Sequence, residues 1–99
     1  MGLLTKLKDA LSGNKVDYAQ LIIDGAIIVD VRTPGEFQSG HAPNSKNIPL
    51  QTISSKVKSL KGKTVILVCR SGARSAQAKS ILTSNGITAY NAGRWQNLS

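Results

Sequence analysis

Cys69 is the only cysteine in the chain, and it closes the apolar run Thr64-Val-Ile-Leu-Val68 directly ahead of Arg70-Ser-Gly-Ala-Arg74-Ser75. A thiol attacks as its thiolate, and nearby cations or a helix N-terminus bring its pKa from about 8.5 to roughly 3.5–7.5. Backbone N–H groups that open a helix lack intrahelical acceptors and carry the positive end of its dipole, so a loop wrapped there cradles anions. Arg70 and Arg74 add fixed positive charge. An inert core thiol at a strand end is the commoner fate of a lone cysteine, but it does not account for two arginines and a glycine in attendance. Within these residues there is no second thiol to form a disulfide or to resolve a modified Cys69. Whatever the sulfur acquires must be discharged by another molecule.

A second stretch carries charge where an apolar strand should end. Asp30 follows Ala26-Ile-Ile-Val29, and a buried carboxylate without a partner is strongly unfavourable, so Arg32, Arg70 or Arg74 must answer it. Thr33-Pro-Gly-Glu36 has the spacing of a capping box with proline at the first helical position. His41 could serve as a base. A thiolate already activated by its loop leaves it little proton to move, so a hydrogen-bonding structural histidine is expected.

These groups need elements to position them. Leu3, Leu4, Leu7, Ala10 and Leu11 share one face of an amphipathic helix over 3–12. Asp17 caps a second short helix whose stripe is Tyr18, Leu21 and Ile22, ending at Gly25. Ala26–Val31 and Thr64–Val68 are short, β-branched runs that read as buried strands. A one-turn helix carrying Phe37 lies between Glu36 and Gly40, and the segment from His41 to Pro49 is extended, with a short strand near Asn47 and Ile48. Ile53, Val57 and Leu60 predict a helix over 52–61; Ala78, Ile81 and Leu82 predict another from Ser75 to Asn85; Ile87–Tyr90 predicts a last strand. Trp95 reads as packing in a domain poor in aromatics. Strands alternating with helices imply an α/β fold: a small parallel sheet of about five short strands, with helices on both faces. The expected organisation is an N-terminal amphipathic helix over 1–13 and a single domain over 14–99. Ligands of such sheets sit beyond the carboxyl ends of the strands, where both Asp30 and Cys69 fall.

The bulk composition narrows the partners. The formal charge is +8, with 13 Lys and Arg against 5 Asp and Glu, but the lysines are scattered and only 4% of residues are aromatic. No nucleic-acid-binding signature accompanies the charge, so a solvated basic surface that draws small anions is expected. No stretch reaches the roughly 20 apolar residues of a membrane span, and the N-terminal segment lacks an apolar signal core, so stable membrane insertion is not expected and a cytoplasmic setting is. No metal or cofactor is called for.

The segments Asp30-Val-Arg-Thr-Pro-Gly-Glu36-Phe-Gln-Ser-Gly40-His41-Ala-Pro-Asn-Ser-Lys-Asn47-Ile48-Pro49 and Cys69-Arg-Ser-Gly-Ala-Arg74-Ser75 resemble those of single-domain rhodaneses, which are sulfurtransferases. The resemblance covers residues 14–98. It implies a rhodanese-like fold and a persulfide on Cys69. Amides of Arg70, Ser71, Gly72, Ala73, Arg74 and Ser75 would hold the bound sulfur, and Arg70 and Arg74 would orient a small anionic donor. Asp30, Arg32, Glu36 and His41 would support the site, Asp30 and Arg32 by holding the loop arginine and nearby backbone. The implied reaction moves sulfane sulfur from thiosulfate or polysulfide to cyanide or to a thiol, a protein thiol included. Mercaptopyruvate fits less well, since its transferases resemble a Gly-containing, Arg-poor loop.

Two alternatives belong to other classes. One is a non-enzymatic sulfur carrier or sensor. The other is a phosphatase or arsenate reductase of related fold, whose loop places five residues between Cys and Arg where this chain has four. Ala92-Gly93 stands where relatives often have paired glycines.

Overall fold

The computed structural model describes residues 16–99. The helix expected over 3–12, and with it the 1–13 segment, lies outside the described residues.

Helix α1 spans Tyr18–Ile23 and starts where the Asp17 side chain accepts the Gln20 N–H at 3.0 Å. Tyr18 and Leu21 of its expected stripe pack inward, while Ile22 is 40% exposed. Strand β1, Ile27–Asp30, leads through the short helix α2, Pro34–Gln38, to the two-residue strand β2, Lys46–Asn47. The capping box of α2 forms as its spacing predicts: Thr33 Oγ1 accepts the Glu36 N–H at 3.2 Å and Glu36 Oε1 accepts the Thr33 N–H at 3.0 Å.

The helix expected over 52–61 splits. Leu50–Lys56 is a 3₁₀ helix, and only Val57–Leu60, helix α3, is α-helical. The hydroxyls of Thr52 and Ser55 donate to carbonyls three residues back, at 2.9 and 2.7 Å. Such local bonds compete with the α-helical pattern, and β-branched Thr52 and Ile53 add little propensity against them. The spacing still puts Ile53 and Leu60 in the core.

Strand β3 covers Thr64–Cys69, helix α4 covers Ala73–Ser84, and strand β4 covers Thr88–Arg94. Helix α4 begins two residues earlier than the sequence suggests, so Ala73 and Arg74 sit in its first turn rather than in the loop. β4 runs past Tyr90 by four residues, through a bulge that leaves Ala92 unpaired between Asn91, opposite Leu67, and Gly93, opposite Val68. A final 3₁₀ turn, Trp95–Leu98, closes the described chain.

The sheet is wholly parallel, in the order β2-β1-β3-β4. Among the described residues it has four strands where about five were expected. Side chains alternate between its faces. Val29, Val65, Leu67 and Cys69 meet Ala78 and Leu82 of α4 together with Ile53 and Leu60, whereas Ile28, Ile66 and Val68 meet Tyr18, Leu21, Trp95 and Leu98. Both faces are therefore covered, as continuous apolar strands require. The chain goes to one side of β1 for β2 and to the other for β3. The carboxyl ends of β1 and β3, where Asp30 and Cys69 lie, are therefore the switch point of the sheet, the place where such sheets bind ligands.

Candidate active site

β3 delivers Cys69 almost wholly buried, 1% exposed, and the chain then turns over it through Arg70 and Ser71 to Gly72, the N-cap of α4. Gly72 has φ +101°, a left-handed conformation that a residue with a Cβ adopts only under strain. That turn brings the Gly72 N–H back to Cys69 Sγ at 2.9 Å. From the first turn of α4, buried Ser75 sets its Oγ 3.4 Å from the same sulfur. The first intrahelical bond runs from the Ala76 N–H to the Gly72 carbonyl at 3.0 Å, so the amides of Ala73, Arg74 and Ser75 have no intrahelical acceptor. Arg70, Ser71 and Ala73 are exposed, and the rim of the loop faces solvent while the sulfur lies on its floor.

Burial is the largest influence on the Cys69 thiol and pushes its pKa up. It is outweighed by the Ser75 hydroxyl and the amides of Ser75, Gly72 and Ser71, which together hold the thiol below its ordinary value.

The two loop arginines differ. Arg74 is gripped by Glu36 at 2.8 and 3.0 Å, and this hydrogen-bonded pairing is the largest cause raising its pKa above the ordinary value, with the Cys69 sulfur and Asp30 adding less. The Arg74 bonds are the largest cause holding the Glu36 carboxyl at about 2, helped by the Thr33 N–H. Arg70 is exposed and makes no side-chain hydrogen bond or ion pair among the described residues.

Asp30 does not hold either loop arginine. Its carboxylate is fully buried against Arg32, with Nε–Oδ1 at 2.9 Å and Nη2–Oδ2 at 2.7 Å, and it also accepts the Arg32 N–H at 3.0 Å. Proximity in the chain decides this, because a side chain two residues away closes the pair without reaching across to the cysteine loop. Arg32 Nη2 also donates to the Gly40 carbonyl at 2.7 Å and Nη1 to the Glu36 carbonyl at 3.3 Å, while its guanidinium carbon lies 5.1 Å from the centre of the Trp95 ring. The pair thus fixes the segment that carries Glu36, and Glu36 in turn holds Arg74. His41 is exposed, stacked on Phe37 at 3.7 Å, with Nδ1 2.7 Å from the Phe37 carbonyl oxygen.

The sequence reading missed Asn91. This half-buried residue ahead of the β4 bulge bonds both Ser75 and Gly72, at 2.6 and 3.0 Å. Only the departure at Ala92-Gly93 beside it marked the place.

Fold and site together define a small parallel α/β domain with a buried cysteine under an amide-lined loop at a strand's carboxyl end. A profile of the rhodanese-like domain matches residues 5–95, and the chain belongs to that family. It is 40% identical over 65 residues to a tRNA sulfurtransferase of Thermoplasma acidophilum, a match spanning 66% of this chain and 13% of that protein. It is 36% identical over 63 residues to the thiosulfate sulfurtransferase PspE of Escherichia coli, with 61% of each chain covered. The chain thus spans less than two thirds of the length of these curated relatives. Among solved structures, a rhodanese with anions from E. coli superposes with a TM-score of 0.69 at 30% identity, covering 76% of this chain and 93% of that one.

Proposed function

We propose that this chain is a sulfurtransferase that works through a persulfide on Cys69. The observation that carries the reading is the buried sulfur with an amide N–H at 2.9 Å and a hydroxyl at 3.4 Å, beneath a loop whose remaining amides point to no intrahelical acceptor. In loading, the Cys69 thiolate attacks the outer sulfur of thiosulfate or of a polysulfide. The new S–S bond forms as the old one breaks, and sulfite or the shortened polysulfide departs with the electron pair. In discharge, cyanide or a thiolate attacks the terminal sulfur of the persulfide and Cys69 leaves as thiolate. Each step is a displacement at sulfur, so it gains from a high thiolate fraction and a stabilised leaving thiolate. The amides of residues 70–75 supply preorganised donors for the charge that builds on the transferred atom.

The basic surface and Arg70 suit an anionic donor, and a thiol or cyanide is the acceptor. With four residues between Cys69 and Arg74, the ring of amides is smaller than that of the phosphatases and fits a single sulfur atom better than a tetrahedral phosphate. Among the described residues no helix is long and apolar enough to cross a membrane, and the cytoplasmic setting belongs to the same reading. The test is cyanolysis with thiosulfate and polysulfide as donors, read beside the intact mass of the protein. Gain of one sulfur atom on Cys69, followed by its loss with cyanide, is expected, and Cys69→Ser should do neither. Full activity in Cys69→Ser would end the proposal.

The absence of a second thiol within these residues supports one other reading, a carrier loaded by one protein and unloaded by another. It predicts a persulfide that forms readily but turns over only when a partner protein is added. Rapid turnover with small acceptors would count against it.

A further inference from the structure

β4 does not run straight past the cysteine loop. The bulge at Ala92 leaves Asn91 level with Leu67, so its side chain stands on the face of the sheet that α4 covers. Its carboxamide makes three hydrogen bonds. Oδ1 accepts the Ser75 hydroxyl at 2.6 Å and the Gly93 N–H at 2.9 Å, and Nδ2 donates to the Gly72 carbonyl at 3.0 Å. Because the Gly93 N–H can only donate, it settles which end of the amide is oxygen. Asn91 thus bonds the same two residues that touch the sulfur: the Ser75 hydroxyl itself, and at Gly72 the carbonyl of the residue whose N–H reaches Sγ.

Ser75 has one proton and two acceptors for it, Asn91 Oδ1 and Cys69 Sγ. With an uncharged sulfur, the thiol donates into Ser75 Oγ and the Ser75 proton rests on Asn91. With a thiolate, the hydroxyl turns toward sulfur, and Oδ1 stays satisfied by the Gly93 N–H. The Gly72 peptide is meanwhile pinned through its neighbouring carbonyl, which accepts from both the Ala76 N–H and Asn91 Nδ2.

We propose that Asn91 is a positioning residue for Cys69: it anchors the Gly72 turn that aims an N–H at the sulfur, and it parks the Ser75 proton whenever that sulfur is uncharged. The role in transfer rests on the sulfurtransferase reading. There the parked proton matters in discharge, when the S–S bond breaks and its electron pair collapses onto Sγ. The charged groups on the neighbouring elements are Arg70 in the loop, Arg74 on α4, Arg94 opposite Cys69 on β4, and Asp30 at the end of β1, paired with Arg32. They are unchanged in every variant below, so their influence cancels in the comparison.

The experiment is the pH dependence of Cys69 alkylation by iodoacetamide, a neutral reagent that requires no sulfur chemistry. The two arms of Asn91 act in opposite directions. Loss of the Gly72 anchor raises the midpoint, and loss of the parking place frees a proton for the thiolate and lowers it. Because the two effects oppose each other, Asn91→Ala alone should give at most a small rise in the midpoint. In a Ser75→Ala background only the anchor remains to be lost, and the rise should be larger, about half a unit to one unit. Asn91→Asp keeps the shape and both acceptor bonds but turns a negative oxygen on the Gly72 carbonyl, and it should raise the midpoint if Asn91→Ala fails to fold. Unchanged midpoints in folded variants would overturn the proposal, as would equal shifts in the two backgrounds. Absence of cyanolysis by the native protein would instead end the sulfur-transfer reading and leave the alkylation result standing.

Discussion

Glu36 grips Arg74 at two points, Oε1 to Nη1 at 2.8 Å and Oε2 to Nη2 at 3.0 Å, and so ties the short helix after β1 to the first turn of the helix after β3. The same carboxylate caps α2 through Thr33, so one side chain both closes a helix and aims a guanidinium. Both partners are about a third exposed, 32% for Arg74 and 30% for Glu36. Solvent weakens such pairs as sources of stability, and the clamp counts mainly as geometry.

The clamp should still show in acid. Glu36 titrates near 2 in the fold and near 4.5 unfolded. A carboxyl whose folded pKa is depressed contributes its full stability above the unfolded value and loses it as the pH falls through the folded one. The melting difference between the native protein and Glu36→Gln should therefore be small but constant from neutral pH down to about 4.5, then shrink toward pH 2. A difference that persists unchanged at pH 2 would show that the carboxylate charge is not its source.

Arg74→Ala should lower kcat/KM for thiosulfate by roughly tenfold to a hundredfold, the equivalent of a charge-assisted hydrogen bond at about 1.5–3 kcal/mol. Its effect on alkylation by neutral iodoacetamide should be smaller. Part of the loss comes from the Glu36 carboxylate, stripped of its partner and left beside the anion loop. Glu36→Gln/Arg74→Ala should therefore recover some of the thiosulfate activity. Equal losses for both reagents, with no recovery in the double variant, would reduce Arg74 to a structural role.

Asp30→Ala should be far more damaging to the fold. It leaves Arg32, itself only 5% exposed, as a buried cation without its counter-charge, a change that typically costs about 3–5 kcal/mol. Urea unfolding measures it directly. A loss below about 1 kcal/mol would mean that the bonds from Arg32 to the carbonyls of Gly40 and Glu36 suffice without the carboxylate.

Residues read correctly from sequence share a local signal. The β3 run, the Thr33–Glu36 capping box and the Asp17 cap are each written within a few neighbouring positions, and local chemistry decided them. What the sequence hid are contacts made across the fold. Glu36 and Arg74 are 38 residues apart, and Asn91 reaches Ser75 and Gly72 across 16 and 19 residues. The bulge that presents Asn91 depends on strand register, which no periodicity within β4 reveals. Helix α4 starts early for a similar reason. Gly72 resembles a plain loop glycine until the close approach of its N–H to sulfur shows it to be the cap.

Gly40 offers a test of the other face of the sheet. A Cβ built there would lie 3.1 Å from Trp95 Cη2, and the indole is held among Ile28, Ile66 and Val68 with Arg32 over its ring. Gly40→Ala should push the indole aside and disturb the Arg32 Nη2 bond to the Gly40 carbonyl. The expected loss is about 1–3 kcal/mol, the usual range for overpacking, together with a shifted emission from the only tryptophan in the chain. Cys69 points to the opposite face of β3, into the cluster with Ala78 and Leu82, so its alkylation midpoint should not move. A shifted midpoint in a folded Gly40→Ala would mean that the sheet transmits strain from Trp95 to the sulfur, and that the two cores are less independent than their packing makes them.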